Sequence, residues 1–388
     1  MTFDGWATKP LSEVCENLDS KRKPITKSKR VAGPIPYYGA SGIVDHVEGY
    51  LFDEELLLVS EDGANLLART YPIAFSVSGK TWVNNHAHVL RFPNNCARRF
   101  IEYYLNSISL EPWVSGMAQP KLNQTKLNSI PVPNPPLEEQ KRIVSILDEA
   151  FSAIAKAKEN AEKNLLSARE LFESYLNRVF TQQGPDWQEK PLGEVVTLQG
   201  GSQPPKSTFV YEPKADYIRL IQIRDYKSDK KITFIPEEKA RRKCNSTDIM
   251  IGRYGPPLFQ ILRGINGAYN VALMKATPNE GLISKDYLYY FLKNRDLLNH
   301  IEASSSRTAG QTGFKKETLE TYPLCYPESP TAQARIVSLL EEAQTASSRL
   351  ETIYTQKLAN LDELKQSLLQ KAFTGQLTNR SSQLEATC

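Results

Sequence analysis

The sequence predicts an α+β fold in which two tandem globular modules are separated by two long helices. The helices are expected to pack as an antiparallel coiled coil, and the two halves to form a pseudo-twofold internal repeat. Three observations predict this. Trp6-Ala-Thr-Lys-Pro-Leu-Ser-Glu-Val14 returns as Trp187-Gln-Glu-Lys-Pro-Leu-Gly-Glu-Val195 at an offset of 181, and Arg142-Ile-Val-Ser-Ile-Leu-Asp-Glu-Ala150 returns as Arg335-Ile-Val-Ser-Leu-Leu-Glu-Glu-Ala343 at an offset of 193. Neither 137–180 nor 331–373 contains proline or glycine, and both carry apolar residues in heptad steps. The stretches ahead of them are instead cut into short apolar runs by Gly, Pro and Asn.

The first module, 1–136, reads as mixed: Glu55-Leu-Leu-Leu-Val-Ser60 is strand-like and Arg98-Arg-Phe-Ile-Glu-Tyr-Tyr-Leu105 helical. It closes on Ile130-Pro-Val-Pro-Asn-Pro-Pro136, a proline-rich lead-in expected to be an extended linker to the helix. The first spacer helix, 137–183, carries the seam Ile143, Leu147, Ala150, Ile154, Ala157, Ala161, Leu165, Ala168, Phe172, Tyr175 and Val179. Steps of four and three alternate, with one stutter between Ala161 and Leu165. The second module, 184–328, contains strand-like Tyr217-Ile-Arg-Leu-Ile-Gln-Ile223, helical Lys285-Asp-Tyr-Leu-Tyr-Tyr-Phe-Leu-Lys293 and its own lead-in, Tyr322-Pro-Leu-Cys-Tyr-Pro327. The second spacer helix, 329–376, repeats the seam as Ile336, Leu340, Ala343, Ser347, Leu350, Tyr354, Leu358, Leu361, Lys365, Leu368 and Ala372, with Ser347 and Lys365 as its breaks. Helices of this length span roughly 65 Å and suit a spacer. A polar tail, 377–388, ends the chain.

Composition excludes several classes. An apolar fraction of 40% and a charged fraction of 24% belong to a folded chain. No run approaches the length of a membrane span, and the first residues lack the layout of a signal peptide. Five scattered cysteines, Cys15, Cys96, Cys244, Cys325 and Cys388, read as reduced thiols in a cytoplasm rather than a disulfide frame. The net charge is only +4, but it is unevenly placed: +1 over 1–136, −1 over 137–180, +4 over 181–328 and 0 over 329–388. The excess sits in loop clusters, Lys21, Arg22, Lys23, Lys27, Lys29 and Arg30 in one module, and Lys227, Lys230, Lys231, Lys239, Arg241, Arg242 and Lys243 in the other. With nearby tyrosines and amides, these offer phosphate and base-edge contacts to a nucleic acid.

Three catalytic-looking fragments are set aside. Gly79-Lys80-Thr81 resembles the end of a phosphate loop, but Ala74 stands where its first glycine belongs. Asn134-Pro135-Pro136 is followed by Leu137 where an amino-methyltransferase has an aromatic residue. His86-Ala-His88 offers two imidazoles on one strand face, with no cysteine or carboxylate at ligand spacing nearby. No nucleophile–base pair stands out, so no cofactor or metal is expected in this chain.

The order of module and helix, with the repeated openings and closings, resembles the specificity (S) subunit of type I restriction–modification enzymes. The closings are Gly116-Met-Ala-Gln-Pro-Lys-Leu-Asn123, Ile130-Pro-Val-Pro and Pro136-Leu-Glu-Glu-Gln-Lys-Arg-Ile143, echoed by Gly310-Gln-Thr-Gly-Phe314, Tyr322-Pro-Leu and Thr331-Ala-Gln-Ala-Arg-Ile336. The second copy departs where Pro330-Thr-Ala-Gln-Ala replaces Leu137-Glu-Glu-Gln-Lys. The resemblance covers essentially the whole chain. It implies two target-recognition domains that each read half of a bipartite, asymmetric DNA site, and a coiled coil that sets the gap. It also implies two methyltransferase subunits docked on this scaffold, joined by translocase/nuclease subunits, with AdoMet, ATP and Mg²⁺ on those partners. Expected DNA contacts in the first domain are Lys21, Arg22, Lys23, Lys27, Lys29, Arg30, Tyr37, Tyr38, Ser41, Gln119, Lys121 and Asn123. In the second they are Gln203, Lys206, Arg241, Arg242, Lys243, Arg253, Tyr254, Gln311, Thr312, Lys315 and Lys316. The small charge excess implies that partner subunits supply much of the affinity. The rival expectations are a coiled-coil scaffold that binds protein without reading DNA, and a self-sufficient methyltransferase or nuclease.

Overall fold

A computed structural model describes residues 6–116, 119–308 and 311–378, with backbone alone at 306–308 and 311–312. The opening residues 1–5, Met117 and Ala118, Ala309 and Gly310, and the tail from 379 to Cys388 lie outside the described residues. The chain divides into two compact units, Met1–Glu162 with Gln356–Cys388, and Lys163–Thr355. Each long helix, Leu137–Thr181 and Pro330–Phe373, therefore contributes one part to each unit.

In the first unit, strand Thr8–Pro10 pairs antiparallel with Pro131–Pro133. The proline lead-in is thus a strand rather than a linker. Val132 between the prolines keeps its donor, and Leu11 N–H to Ile130 O (2.9 Å) and Asn134 N–H to Ala7 O (2.9 Å) close the ladder at both ends. The repeated opening and the repeated closing are hydrogen-bonded to each other. One four-stranded sheet runs Glu16–Asn17, Ala87–Arg91, Leu56–Ser60, Ala74–Val77, and a second runs Gly42–Val47, Ala32–Gly39, Lys80–Val83, Phe52–Asp53. All five residues of Leu56–Ser60 are buried, as befits a strand covered on both faces. Helix Asn95–Ser107, capped by Asn94 Oδ1 on the Ala97 N–H, turns Phe100, Ile101 and Tyr104 into the core. There the rings of Phe100 and Tyr104 meet Phe373 edge-on, each at 5.3 Å.

The second unit repeats this plan. Trp187–Pro191 pairs with Pro323–Pro327. Its sheets run Val196–Gly200, Leu273–Pro278, Ile249–Gly252, Gln260–Leu262, and Phe234–Pro236, Tyr217–Ile221, Gly267–Tyr269, Lys243–Cys244. Where the first unit joins an inner strand to the edge strand beside it by a tight turn at 40–41, the second makes an excursion over 222–233 that carries Lys227, Lys230 and Lys231. Burial pushes the thiols of Cys244 and Cys325 up to about 11, so both stay protonated and inert near neutral pH.

The helices run antiparallel within each unit. In the first, Lys158 pairs with Asp362, and Lys365 Nζ lies 5.2 Å from the Phe151 ring centre. In the second, Ser347 Oγ–H donates to Ala168 O (2.5 Å) and Arg169 pairs with Glu351 at 3.1 Å. Of the expected seam, Ile143, Leu147, Ile154 and Leu340 are buried, while Leu165, Phe172, Ile336, Leu350, Leu358 and Leu368 are half-buried. At the helix ends the stripe widens by one position: Leu176, Phe180 and Leu369 are buried, with Tyr175, Val179 and Leu368 beside them only partly so. These turns pack on a module core as well as on a partner helix, which needs a broader apolar face than a two-helix seam.

Candidate nucleic-acid interface

Strand Leu56–Ser60 ends in Glu61-Asp62-Gly63, and three other segments converge there. Ser60 Oγ–H donates to Ala40 O (2.5 Å), which ties in the turn that presents Ser41. The Glu61 N–H donates to His86 O (2.9 Å), and the Leu122 N–H to Glu61 O (2.8 Å). Gly63 N–H donates to Pro120 O (3.0 Å), and Asp62 bridges to Lys121. The result is one surface with exposed Ser41, His86, Gln119 and Lys121. His86 Nδ1 is 2.7 Å from Asp62 Oδ2, and Ser41 Oγ is 2.9 Å from the Tyr71 hydroxyl.

Beneath this surface lies a charged network. His88, fully buried, places Nδ1 2.6 Å from Asp19 Oδ2 and Nε2 2.7 Å from Leu122 O. Burial alone would raise the Asp19 carboxyl. The His88 ring, the Val89 N–H (2.9 Å) and the Arg22 charge outweigh it and hold that carboxyl below its usual range. Arg22 Nη1 is 2.6 Å from Glu61 Oε2 and donates to Ala87 O (2.8 Å), while Nη2 is 3.3 Å from Asp19. Two carboxylates thus occupy the Arg22 guanidinium, and it fastens the loop instead of gripping phosphate. Asp19, Glu61 and His88 bring ligand-type atoms within 4.8 Å of one another, which sequence spacing around His88 does not disclose. The Arg22 cation already balances that group. His86 and His88 do not share a face: one is half exposed on Asp62, the other sealed on Asp19.

Other expected contacts are also reassigned. Tyr37 is 1% exposed, its hydroxyl accepting the Ile25 N–H at 2.9 Å, so it is core. Arg30 pairs with Asp45 at 2.9 Å and lies 4.4 Å over the Tyr37 ring. Tyr38 is half-buried against Phe75. Asn123 Oδ1 caps helix Gln124–Asn128 through the Lys126 N–H (2.9 Å). Lys21, Lys23, Lys27 and Lys29 are exposed. Gly79, at φ +70°, makes the turn into strand Lys80–Val83, where Thr81 is buried, so that fragment links a strand of one sheet to a strand of the other and is not a phosphate cradle.

In the second unit, strand Ile249–Gly252 continues into Arg253-Tyr254-Gly255, and Tyr254–Gly255 pairs with strand Gln311–Gly313. Arg253 and Tyr254 are half-buried, the guanidinium 5.7 Å from the Tyr254 ring centre. The backbone of Gln311 and Thr312 reaches the same place; their side chains lie outside the described residues. Gln203, Lys206, Arg241, Arg242 and Lys315 are exposed, Lys243 pairs with Glu237 at 2.8 Å, and Lys316 pairs with Glu320 at 2.7 Å. Glu61 and Asp62 were not expected here, and His86 was weighed only as a metal ligand. The available signal was a Glu-Asp-Gly stop directly after the strand-like run Leu56-Leu-Leu-Val-Ser60.

Residues 4–164 and 185–359 match the type I restriction modification DNA specificity domain. A putative type I restriction enzyme specificity subunit of Haemophilus influenzae is 45% identical over 140 residues, 36% of this chain and 36% of that protein, so the match spans about a third of the relative. The EcoKI specificity subunit of Escherichia coli K12 is 24% identical across 97% of this chain and 90% of its own. Among solved structures, a chain from a type I R-M system studied for complex assembly and conformational transition shares the fold with a TM-score of 0.74 at 20% identity, covering 96% of this chain and 98% of that one. The HsdS subunit of Thermoanaerobacter tengcongensis does so with 0.60 at 20%, covering 96% and 97%. Matched twice along most of its length, the chain belongs to the type I restriction–modification DNA specificity family.

Proposed function

We propose that the chain is the sequence-reading, non-catalytic subunit of a cytoplasmic type I restriction–modification complex. Each module reads one half of a bipartite, asymmetric DNA site, and the paired helices set the interval between the halves. One observation carries this reading: in each unit the loop after a buried central strand is hydrogen-bonded to the module-closing segment, which concentrates polar side chains at one end of the sheets. Such a frame holds side chains in fixed positions, as base-edge readout requires. Two methyltransferase subunits dock on the chain and translocase/nuclease subunits join them. AdoMet, ATP and Mg²⁺ are bound by those partners, and the partners close around the duplex to supply much of the affinity. A protein-binding scaffold without DNA reading is not favoured, because the family match is to a DNA specificity domain.

Selection of genomic fragments by the full chain with its modification subunits tests the reading. The expected result is a split motif with a constant gap; enrichment of DNA regardless of sequence overturns it. The chain alone should transfer no methyl group from AdoMet to DNA, and turnover would contradict the non-catalytic assignment.

A further inference from the structure

The two units share one backbone frame at the end of the sheets and differ in what it displays. In the first, the Asn84 N–H donates to Tyr38 O (3.0 Å), and Asn84 Oδ1 accepts the His86 N–H (2.7 Å). His86 O in turn accepts the Glu61 N–H (2.9 Å). In the second, the Asn270 N–H donates to Ile221 O (3.1 Å), and Asn270 Oδ1 accepts the Ala272 N–H (3.1 Å). Ala272 O accepts the Arg253 N–H (2.9 Å). The next residue then pairs with the closing segment in each case, Asp62 with Lys121 and Tyr254 with Gly313. Glu61 therefore corresponds to Arg253, and His86 to Ala272. At this corner the backbone is held alike, so what differs between the two units here is the side chains.

Those side chains are opposite in character. Glu61 is turned inward and held by Arg22 and Lys121, so the outward position passes to His86, half exposed with Nδ1 on Asp62. In the second unit Ala272 has nothing to offer. Arg253 carries a buried Nε that has no hydrogen-bond partner among the described residues, beside Tyr254. Among the described residues no carboxylate pairs with this guanidinium, unlike Arg22 and Arg30 of the first unit, so its charge is not already spent on a structural tie.

We propose that His86 and Arg253 are the specificity-determining side chains of the first and second half-sites. The proposal rests on the DNA-reading function above and names its contacts. Arg253 presents paired donors that suit the N7 and O6 acceptors of guanine. His86, its Nδ1–H engaged by Asp62, presents Nε2 as an acceptor for the amino group of adenine or cytosine. The matched position thus asks for opposite base chemistry in the two halves, which makes the whole site asymmetric.

The test is selection of genomic fragments by the full chain in complex with its modification subunits, for wild type, His86→Ala, His86→Asn, Arg253→Ala and Arg253→Lys, each checked for an unchanged melting transition. The His86 variants should relax one base position in one half, and the Arg253 variants one position in the other. The expected loss of discrimination is about tenfold or more at each. Arg253→Lys should relax as Arg253→Ala does, because an ammonium lacks the bidentate fork. Wild-type motifs in all variants, relaxation of the same half by both residues, or an Arg253→Lys protein that reads as wild type would overturn the assignment while leaving the DNA-reading function intact. A wild-type complex that enriches no motif would instead overturn that function, and this assignment with it.

Discussion

Asp19 shows how one buried carboxylate ties charge to stability. Burial opposes its ionisation, but His88, the Val89 N–H and Arg22 hold the carboxyl below the usual value of 3.8. The folded chain then binds this proton more weakly than the unfolded chain. Its contribution is therefore present above pH 3.8 and is lost as pH falls through the lowered value. Asp19→Asn should cost about 3–5 kcal/mol at neutral pH, because it leaves buried partners uncompensated. Denaturant unfolding should show the gap to wild type closing below pH 3.8. Lys27 and Lys29 sit at the other extreme, exposed on a 3-10 turn. Replacing both with alanine should leave the melting transition unchanged and lower the salt slope of DNA binding by about 2. Sequence reasoning grouped Arg22 and Arg30 with these lysines. It could not separate them, because Glu61 and Asp45, which neutralise the two arginines, are 39 and 15 residues away.

The long helices were readable from periodicity because 3.6-residue geometry is local: the expected 137–183 and 329–376 became Leu137–Thr181 and Pro330–Phe373. The two polar breaks in the second stripe found specific places. Ser347 is buried with its hydroxyl on a backbone carbonyl, and the Lys365 ammonium stands over an aromatic ring. The energetics of the seam are apolar. Leu147→Ala removes a side chain with no solvent exposure and should cost about 2–5 kcal/mol, whereas Lys158→Ala, which breaks an exposed pair with Asp362, should cost under about 1 kcal/mol. Equal losses by denaturant unfolding would contradict this division. The proline lead-ins were misjudged as linkers because strand pairing is not local. Pro131–Pro133 finds its partner at Thr8–Pro10, more than a hundred residues earlier.

At the scale of the whole chain, each unit is built from one module and parts of both helices, so cutting between the sequence repeats would divide both cores. On the proposed function, seven residues added to the middle of each helix lengthen the spacer by about 10 Å. The gap in the recognised site should then widen by about three base pairs with both half-sites unchanged. Methylation mapping of a host carrying the lengthened chain reads this directly, and an unchanged gap would remove the helices from the role of spacer. The duplication, the two long helices, the neutral spacers and the family were all readable from the linear chain. They rest on repetition, periodicity and composition, which survive without knowledge of what touches what. Tertiary structure alone decided which charges face water. It tied Arg22 to two carboxylates, seated Tyr37 in the core, and brought His86 to Asp62 and Arg253 to the closing strand. A charged side chain becomes a structural tie or a reading group only through partners supplied by other strands, and those partners are set by how the sheets close.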